Sequence, residues 1–185
     1  LIAKKFNTQV LYSTLIISSA LFLFFVSITD LQNTKLKLSQ KISHLAFSIL
    51  IISIILNSLF SEEVSVNLKK GEEKKLSNYL LKFESISKME INNFTSLKAE
   101  IHVIENNNKL KFYPELRLYK VPETITSEAD IKTNLFSDNL VVVNYLKDTD
   151  YLNIRYQKKP FMLLIWLSAF MLAVGGLIGL RKNFK

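Results

Sequence analysis

The sequence predicts an integral membrane protein that combines transmembrane α-helices with an inserted all-β domain. Three stretches, residues 6–29, 42–61 and 160–180, contain no Asp, Glu, Lys or Arg, and each has the roughly 20 residues needed to cross ~30 Å of hydrocarbon. Between the second and third stretches apolar and polar residues alternate with the period of half-buried strands. The predicted domains are therefore a first segment, 1–60, with helices at about 10–28 and 42–60 and a loop at 30–41; a β-rich domain, 61–159; and a final helix with a basic tail, 160–185.

The basic residues predict how the chain is oriented. Residues 61–159 contain nearly equal numbers of basic and acidic residues, and Asp30 is the only acidic residue elsewhere, so the net charge of +8 is concentrated beside helix ends. This distribution favours membrane lipid over nucleic acid as a partner. By the positive-inside rule, the loop 30–41 and the C-terminal tail are cytoplasmic and residues 61–159 lie outside; Lys4 and Lys5 oppose this orientation with fewer charges. The basic residues that set it are Lys35, Lys37, Lys41, Arg181, Lys182 and Lys185.

The segment 61–159 reads as a small antiparallel sandwich or barrel of six or seven strands. The segment "LKAEIHVIE" directs Leu97, Ala99, Ile101 and Val103 to one face and leaves His102 on the solvated face. A turn at 106–108 then predicts a hairpin whose second strand is interrupted at Pro114. Further strands are predicted in "EVSVNL", "YLLKFESI", "LVVVNYL" and "YLNIRYQ", whereas "TSEADIKTNLF", 126–136, is predicted to be a short helix.

Most enzyme motifs are absent from the sequence. It has no P-loop, GxGxxG, GxSxG or HExxH motif, and it has no cysteine for thiolate chemistry, disulfides or metal binding. The acidic pairs Glu62/Glu63 and Glu72/Glu73 fall in predicted turns, where a solvated role is favoured over acid–base chemistry. No catalytic residue is therefore predicted in this chain.

His44 is the candidate functional residue, because it lies two residues inside an apolar run that has no other ionisable group before Glu62. An imidazole carried into hydrocarbon is costly and usually has a partner. Three interpretations are open: a hydrogen bond at the headgroup level, one turn from Lys41; a proton relay; and an axial ligand to a haem between helices. The residues alone favour the first.

Four segments in order along the chain resemble one family. They are "SITDL" (27–31), "SHLAFSILIISIILNSLFSEEVSVNLKKGE" (43–72), "YPELRLYKVPETITSEADI" (113–131) and "RYQKKPFMLLIWLSAFMLAVGGLIGL" (155–180). With these motifs, the chain resembles the C-terminal part of CcmF, the haem-lyase subunit of the System I cytochrome c maturation pathway. The last segment is the most specific, since it matches at Arg155, Lys159, Pro160, Phe161, Ile165, Trp166, Met171, Gly175 and Gly176. The chain departs from the family pattern at Leu116, Gln157, Ser168 and Ala169.

The resemblance implies that His44 is an axial ligand to the iron of a transmembrane haem b, and with it the haem interpretation becomes the preferred one. The second axial ligand in the family is a histidine on an earlier helix that this chain does not contain. Because the chain begins at Leu1 and lacks the upstream haem-handling parts, it is expected to be a fragment that is not catalytic alone.

The family attaches haem to the CxxCH thiols of apocytochrome c, which implies further expectations. The transmembrane haem would reduce the incoming haem iron. The external domain would contact the haem chaperone or the apocytochrome-presenting subunit, with Arg117, Tyr119 and Glu128 as candidate contacts. The implied location is the bacterial inner membrane with 61–159 in the periplasm, or else the mitochondrial inner membrane. The competing hypothesis is a non-enzymatic, membrane-tethered β domain that acts as a scaffold or sensor, in which His44→Asn or His44→Gln would be tolerated.

Overall fold

The structure is a computed structural model that describes residues 8–106, 108–146 and 149–181, with side chains described between residues 14 and 180. The chain divides into two compact units. One is helical and comprises Leu1–Phe60 and Pro160–Lys185; the other is the β unit Ser61–Lys159. The predicted fold class, three membrane helices with a β-sandwich, is confirmed. Lys4, Lys5, Lys182 and Lys185, which entered the orientation argument, lie outside the described residues.

The helical unit contains α1 (Thr8–Gln32), α2 (Leu38–Phe60) and α3 (Met162–Arg181). Each is long and apolar enough to cross a membrane. Helix α2 begins before the predicted position 42 because its polar first turn is capped: the backbone N–H of Lys37 donates to Gln40 Oε1 over 3.0 Å. This is half of a capping box, which stabilises a helix start without apolar residues.

Helix α2 packs antiparallel against both α1 and α3. Near the start of α2, His44 contacts Ser27 of α1, and Ser39 and Ser43 face Gly175 of α3. Several residues that α2 buries are small, namely Ser39, Ala46, Ser48 and Ser53. Small residues let helix backbones approach closely in a membrane, where van der Waals packing replaces hydrophobic association.

The β unit is a sandwich of two antiparallel sheets. One sheet has the strand order β1-β10-β9-β8, and the other has the order β2-β3-β4-β6-β7, with β5 also paired to β4. Among the described residues the strands are β1 Glu62–Leu68, β2 Glu73–Leu76, β3 Tyr79–Glu90, β4 Phe94–Glu105, β5 Asn108–Phe112, β6 Glu115–Lys120, β7 Glu123–Glu128, β8 Asp130–Thr133, β9 Ser137–Tyr145 and β10 Leu152–Pro160.

The alternation predicted in β4 is present, and it builds the sandwich core. Ala99, Ile101 and Val103 are at most 1 % exposed. The centre of the core is aromatic: the rings of Tyr79 and Tyr156 meet edge to face with centroids 4.9 Å apart, and Phe112 lies 6.2 Å from Tyr156. The predicted break at Pro114 is also observed, since it separates β5 from β6 while both pair with β4.

Sequence-based predictions of secondary structure are wrong at three places in the β unit. Glu62 and Glu63, predicted to lie in a turn, are the first residues of β1. The predicted helix 126–136 is extended instead, as the end of β7, all of β8 and the turn after it. Pairing of β7 with β6 up to Glu115↔Glu128, and of β8 with β9 from Asp130↔Val141 to Thr133↔Asp138, overrides the local helix preference. The predicted turn around Glu72/Glu73 is shorter than expected: Gly71 adopts a positive φ of 86°, and Glu73 already begins β2.

The predicted exposure of His102 is also wrong, because this residue is only 4 % exposed rather than solvated. It lies on the outward face of β4, with Lys82 directly opposite on β3 and Lys111 directly opposite on β5. Long lysine stems on both sides cover a residue on the polar face of a strand. The alternation in β4 identified the face of His102 correctly, but it does not show which side chains of the neighbouring strands cover that residue.

Candidate functional site

The partner of His44 within this chain is Asp30. Asp30 lies in the last turn of α1 and His44 in the second turn of α2, and the five-residue connection between the helices brings them together. The imidazole Nδ1 lies 3.2 Å from Asp30 Oδ2. The Asp30 side chain is 21 % exposed and that of His44 is 53 % exposed. The pair is therefore accessible on the imidazole side and partly enclosed on the carboxylate side.

The backbone around His44 is held by a second contact with α1. Ser27 is 1 % exposed, and its hydroxyl lies 2.7 Å from the carbonyl oxygen of Leu23 and 3.1 Å from that of His44. Ser27 and Asp30 are three residues apart and so lie on one face of α1. One of them fixes the main chain of His44 and the other contacts its ring. Beside the connection between α1 and α2, Lys41 Nζ donates to the carbonyl of Leu31 over 2.8 Å.

The helix surface around His44 is apolar and partly open. Phe47 and Ile54 follow His44 at helical spacing on α2 and are 48 % and 50 % exposed. Further along the α1–α2 contact is an open cavity of about 350 Å³ lined by Leu15, Ile16, Ser19, Ala20, Leu23 and Ile51. This surface offers an apolar wall beside a single imidazole.

These residues fit one side of an axial haem-ligand site. Neutral imidazole is a good ligand to iron, and a metal-binding histidine usually donates its other ring N–H to a carboxylate, carbonyl or water. Here Nδ1 has a carboxylate partner, and no hydrogen bond to Nε2 is seen among residues 14–106, 108–146 and 149–180. Sequence reasoning missed Asp30; its status as the only acidic residue outside 61–159 was the feature that could have identified it.

The candidate partner contacts on the β unit, Arg117, Tyr119 and Glu128, lie together on β6 and β7. Arg117 forms two hydrogen bonds to Glu115, from Nε over 3.1 Å and from Nη2 over 3.3 Å, and its Nη1 lies 3.7 Å from Glu128. Its guanidinium lies 5.3 Å from the ring centroid of Phe94, which also contacts Tyr119 at 5.3 Å. The guanidinium holds the pKa of Glu115 below its usual range, chiefly through that hydrogen bond.

Two buried tyrosines anchor polar groups at one end of the sandwich. Tyr79 donates to Glu62 Oε2 over 2.6 Å, and Tyr156 donates to Asn139 Oδ1 over 2.8 Å. Burial raises the pKa of both phenols well above the usual value, and the nearby carboxylates of Glu62 and Glu105 raise it further. Both groups therefore remain neutral donors, which is a structural role.

The imidazole of His102 lies between two carboxylates of the β unit. Its Nε2 is 2.9 Å from Glu100 Oε1 and its Nδ1 is 3.5 Å from Glu84 Oε2. The hydrogen bond from His102 holds the pKa of Glu100 below its usual range. Within the part of the chain that the structure describes, no group of three or more His, Cys, Asp or Glu residues could hold a metal ion. His44 and His102 belong to different units.

Comparison with known proteins identifies the family. Residues 59–160 match the family described as the CcmF C-terminal beta-sandwich. "Cytochrome c-type biogenesis protein CcmF" of Pseudomonas aeruginosa is 27 % identical over 148 residues, which are 79 % of this chain and 22 % of the relative. The protein of the same name from Haemophilus influenzae is 26 % identical over 156 residues, 84 % of this chain and 24 % of the relative. A solved "Cytochrome c Heme Lyase CcmF" matches with a TM-score of 0.59 at 12 % identity, over 75 % of this chain and 23 % of that one.

These matches agree in fold and in the region they cover. The match to the solved structure, at 12 % identity, supports the fold, and the family model covers more than half of the chain. The chain spans about a quarter of the length of the curated relatives that it matches. The chain belongs to the CcmF family of cytochrome c-type biogenesis proteins and contains that family's C-terminal β-sandwich.

Proposed function

We propose that this chain is the part of a cytochrome c haem lyase that supplies one axial ligand, His44, to a transmembrane haem b. The observation that carries the proposal is the contact between His44 Nδ1 and Asp30, which leaves Nε2 as the ring nitrogen available to an iron. Family membership supports a role in cytochrome c biogenesis. By the family resemblance, a second ligand to that iron would come from outside this chain.

In this proposal, residues of this chain would bind the haem iron, orient the histidine ligand and shield the site from water. His44 Nε2 supplies a lone pair, Asp30 and Ser27 hold the imidazole and its backbone, and the apolar surface that includes Phe47 and Ile54 excludes water. When bound, haem b would supply one-electron transfer. The chain itself contributes no general acid or base to this step.

The reaction of the whole lyase is the addition of cysteine thiols to haem. Each S–H of a CxxCH motif in apocytochrome c adds across one vinyl C=C of the substrate haem, so that a C–S bond forms and the thiol hydrogen moves to the other vinyl carbon. No group leaves and no net electron transfer occurs in the addition. We place residues 61–159 in the periplasm, beside the bacterial inner membrane, where the sandwich contacts the haem chaperone or the apocytochrome-presenting subunit through the cluster at Arg117, Tyr119 and Glu128.

The test is haem content of the complete protein that carries this chain, purified in detergent from cells that express the maturation system. We expect a reduced b-type absorbance spectrum in the wild type and its loss in His44→Ala. Added imidazole should restore the spectrum, because it can occupy the space of the missing ring. His102→Gln is the matched control, since it changes the other histidine of the chain in a different unit.

The same variants distinguish the scaffold hypothesis. If His44 is only an interfacial polar residue, His44→Gln retains whatever spectrum the wild type has. A wild-type protein without b-type absorbance, or a His44→Ala variant with unchanged absorbance, would refute the proposed ligand. Maturation of a reporter cytochrome c, measured by covalent haem staining, should fall with the spectrum in His44→Ala and stay normal in His102→Gln.

A further inference from the structure

We infer that Asp30 is a positioning residue that sets the tautomer, orientation and electron density of His44. Asp30 is the only acidic residue in the sequence outside residues 61–159. Its carboxylate oxygen lies 3.2 Å from the Nδ1 of the one histidine in the helical unit. This inference rests on the proposed function, because the tautomer and electron density of His44 matter most if its Nε2 binds iron.

The local helix environment disfavours an acidic residue at position 30. Asp30 lies in the last turn of α1, which ends at Gln32. The C-terminal end of a helix carries partial negative charge from its free carbonyl groups, so that a carboxylate there is destabilised and a lysine would be preferred. A carboxylate at such a position, beside an apolar span, is usually tied to a specific partner. The partner available here is the Nδ1–H of His44.

The geometry fixes the ring from two directions. Ser27, one turn before Asp30, contacts the carbonyl oxygen of His44 at 3.1 Å. Asp30 then accepts from the ring itself, so the backbone and the side chain of His44 are held by the same face of α1. A ring whose backbone and Nδ1 are both fixed has few rotamers left, and its Nε2 keeps one direction.

The carboxylate also determines the chemistry of that nitrogen. In a neutral imidazole one ring nitrogen carries the proton and the other carries a lone pair. An acceptor hydrogen-bonded to Nδ1 keeps the proton on Nδ1 and the lone pair on Nε2. A negatively charged acceptor at Nδ1 makes the lone pair on Nε2 more basic. A more basic ligand stabilises ferric iron more than ferrous iron. Asp30 therefore lowers the midpoint potential of a haem bound at His44.

Three variants of the complete protein test this inference, with haem occupancy and midpoint potential as readouts. Asp30→Asn keeps a neutral acceptor and should retain haem while its midpoint potential rises. A tenfold change in the preference for ferric over ferrous iron equals about 59 mV for a one-electron couple. Asp30→Ala should lower haem affinity about 10- to 100-fold, as the loss of an outer-shell partner usually does. Asp30→Glu should restore the potential toward the wild-type value.

The control is Ser27→Ala, which removes the contact to the His44 carbonyl and leaves the Nδ1 contact in place. A purely structural role for this face of α1 predicts that Ser27→Ala and Asp30→Asn behave alike, with lower stability and an unchanged potential. If the wild type holds haem and His44→Ala lacks it, that result would overturn the role of Asp30 and leave the proposed ligand in place. Absence of haem from the wild type, or its retention in His44→Ala, would instead overturn the proposed ligand.

Discussion

Gly175 of α3 lies directly against Ser43 of α2. A methyl group on Gly175 would lie 3.2 Å from the backbone nitrogen of Ser43 and 3.3 Å from the carbonyl oxygen of Ser39, and would overlap the Ser43 hydroxyl. Gly176, its neighbour, has nothing within 4 Å of the same position. Adjacent glycines of one motif therefore have different roles: Gly175 sets the distance between the helices, and Gly176 does not.

This difference predicts unequal effects of the same substitution at the two positions. Gly175→Leu should destabilise the helical unit by about 1–3 kcal/mol, the usual cost of forcing extra methylenes into a packed contact. Gly176→Leu should be neutral or slightly stabilising because leucine favours a helix over glycine. Thermal unfolding of the complete protein in detergent, followed by circular dichroism at a helix wavelength, compares them. Equal melting temperatures would contradict the close α2–α3 contact.

The buried tyrosines of the sandwich predict a loss of stability at alkaline pH. The folded-state pKa of Tyr79 is raised above the unfolded value of about 10, so the stabilising contribution of the neutral phenol is fully present below pH 10. It declines as the pH rises above 10, because the unfolded chain ionises and the folded chain does not. Tyr79→Phe should flatten this alkaline decline.

The same variant also has an effect at neutral pH. Tyr79→Phe removes the hydrogen bond to Glu62 and should cost about 1.5–3 kcal/mol, the range for hydrogen bonds to charged groups. Tyr113→Phe, at a residue that is 42 % exposed, is the control and should leave both the stability and the alkaline slope unchanged. Denaturant unfolding at pH 7 and pH 11 supplies the measurements. An unaltered slope in Tyr79→Phe would refute the role assigned to this phenol.

The sandwich core was predictable because its pattern is local. Alternation in β4 identified Ala99, Ile101 and Val103 as inward-facing, and the structure buries all three. The same alternation placed His102 on the outward face, which is correct, and predicted that it is solvated, which is wrong. Lys82 and Lys111 lie directly opposite it; Lys111 is reached across the predicted hairpin, whereas Lys82 is far from it in sequence and meets it only through the pairing of β3 with β4. No local pattern contains that information.

The candidate site shows the same limit. His44 stood out because a titratable group in an apolar run is rare, but its partner could not be inferred from the run itself. Asp30 is 14 residues away on another helix, and only the tight connection between α1 and α2 brings the two together. Likewise, the predicted helix at 126–136 is wrong because residues 126–128 pair with β6 and residues 130–133 pair with β9, interactions that intrinsic propensity does not describe.

His102 predicts a change in the acid limb of the stability curve. The hydrogen bond from His102 lowers the folded-state pKa of Glu100, so the contribution of the ionised Glu100 is present above its unfolded pKa and is lost as the pH falls through the folded value. His102→Gln should let the pKa of Glu100 rise toward its ordinary value and make the acid limb less steep. Carboxyl titration by nuclear magnetic resonance measures the pKa directly. Glu90→Gln, at an exposed position on β3, is a control that should leave Glu100 unchanged.

Arg117 is the residue whose removal should most weaken the proposed interaction of the sandwich with its partner subunits. Its guanidinium is held by Glu115 and lies against Phe94, so little side-chain entropy is lost when a partner binds. Arginine and aromatic residues are enriched among the residues that dominate binding energy, and truncating such a residue typically costs 2 kcal/mol or more. We expect Arg117→Ala to weaken association with the other maturation subunits by about 30-fold.

Arg155→Ala, which removes an arginine of similar exposure from the other sheet, should have little effect. Affinity measured by co-purification and by titration in detergent separates the two variants, and equal weakening by both would assign the loss to general destabilisation rather than to this surface.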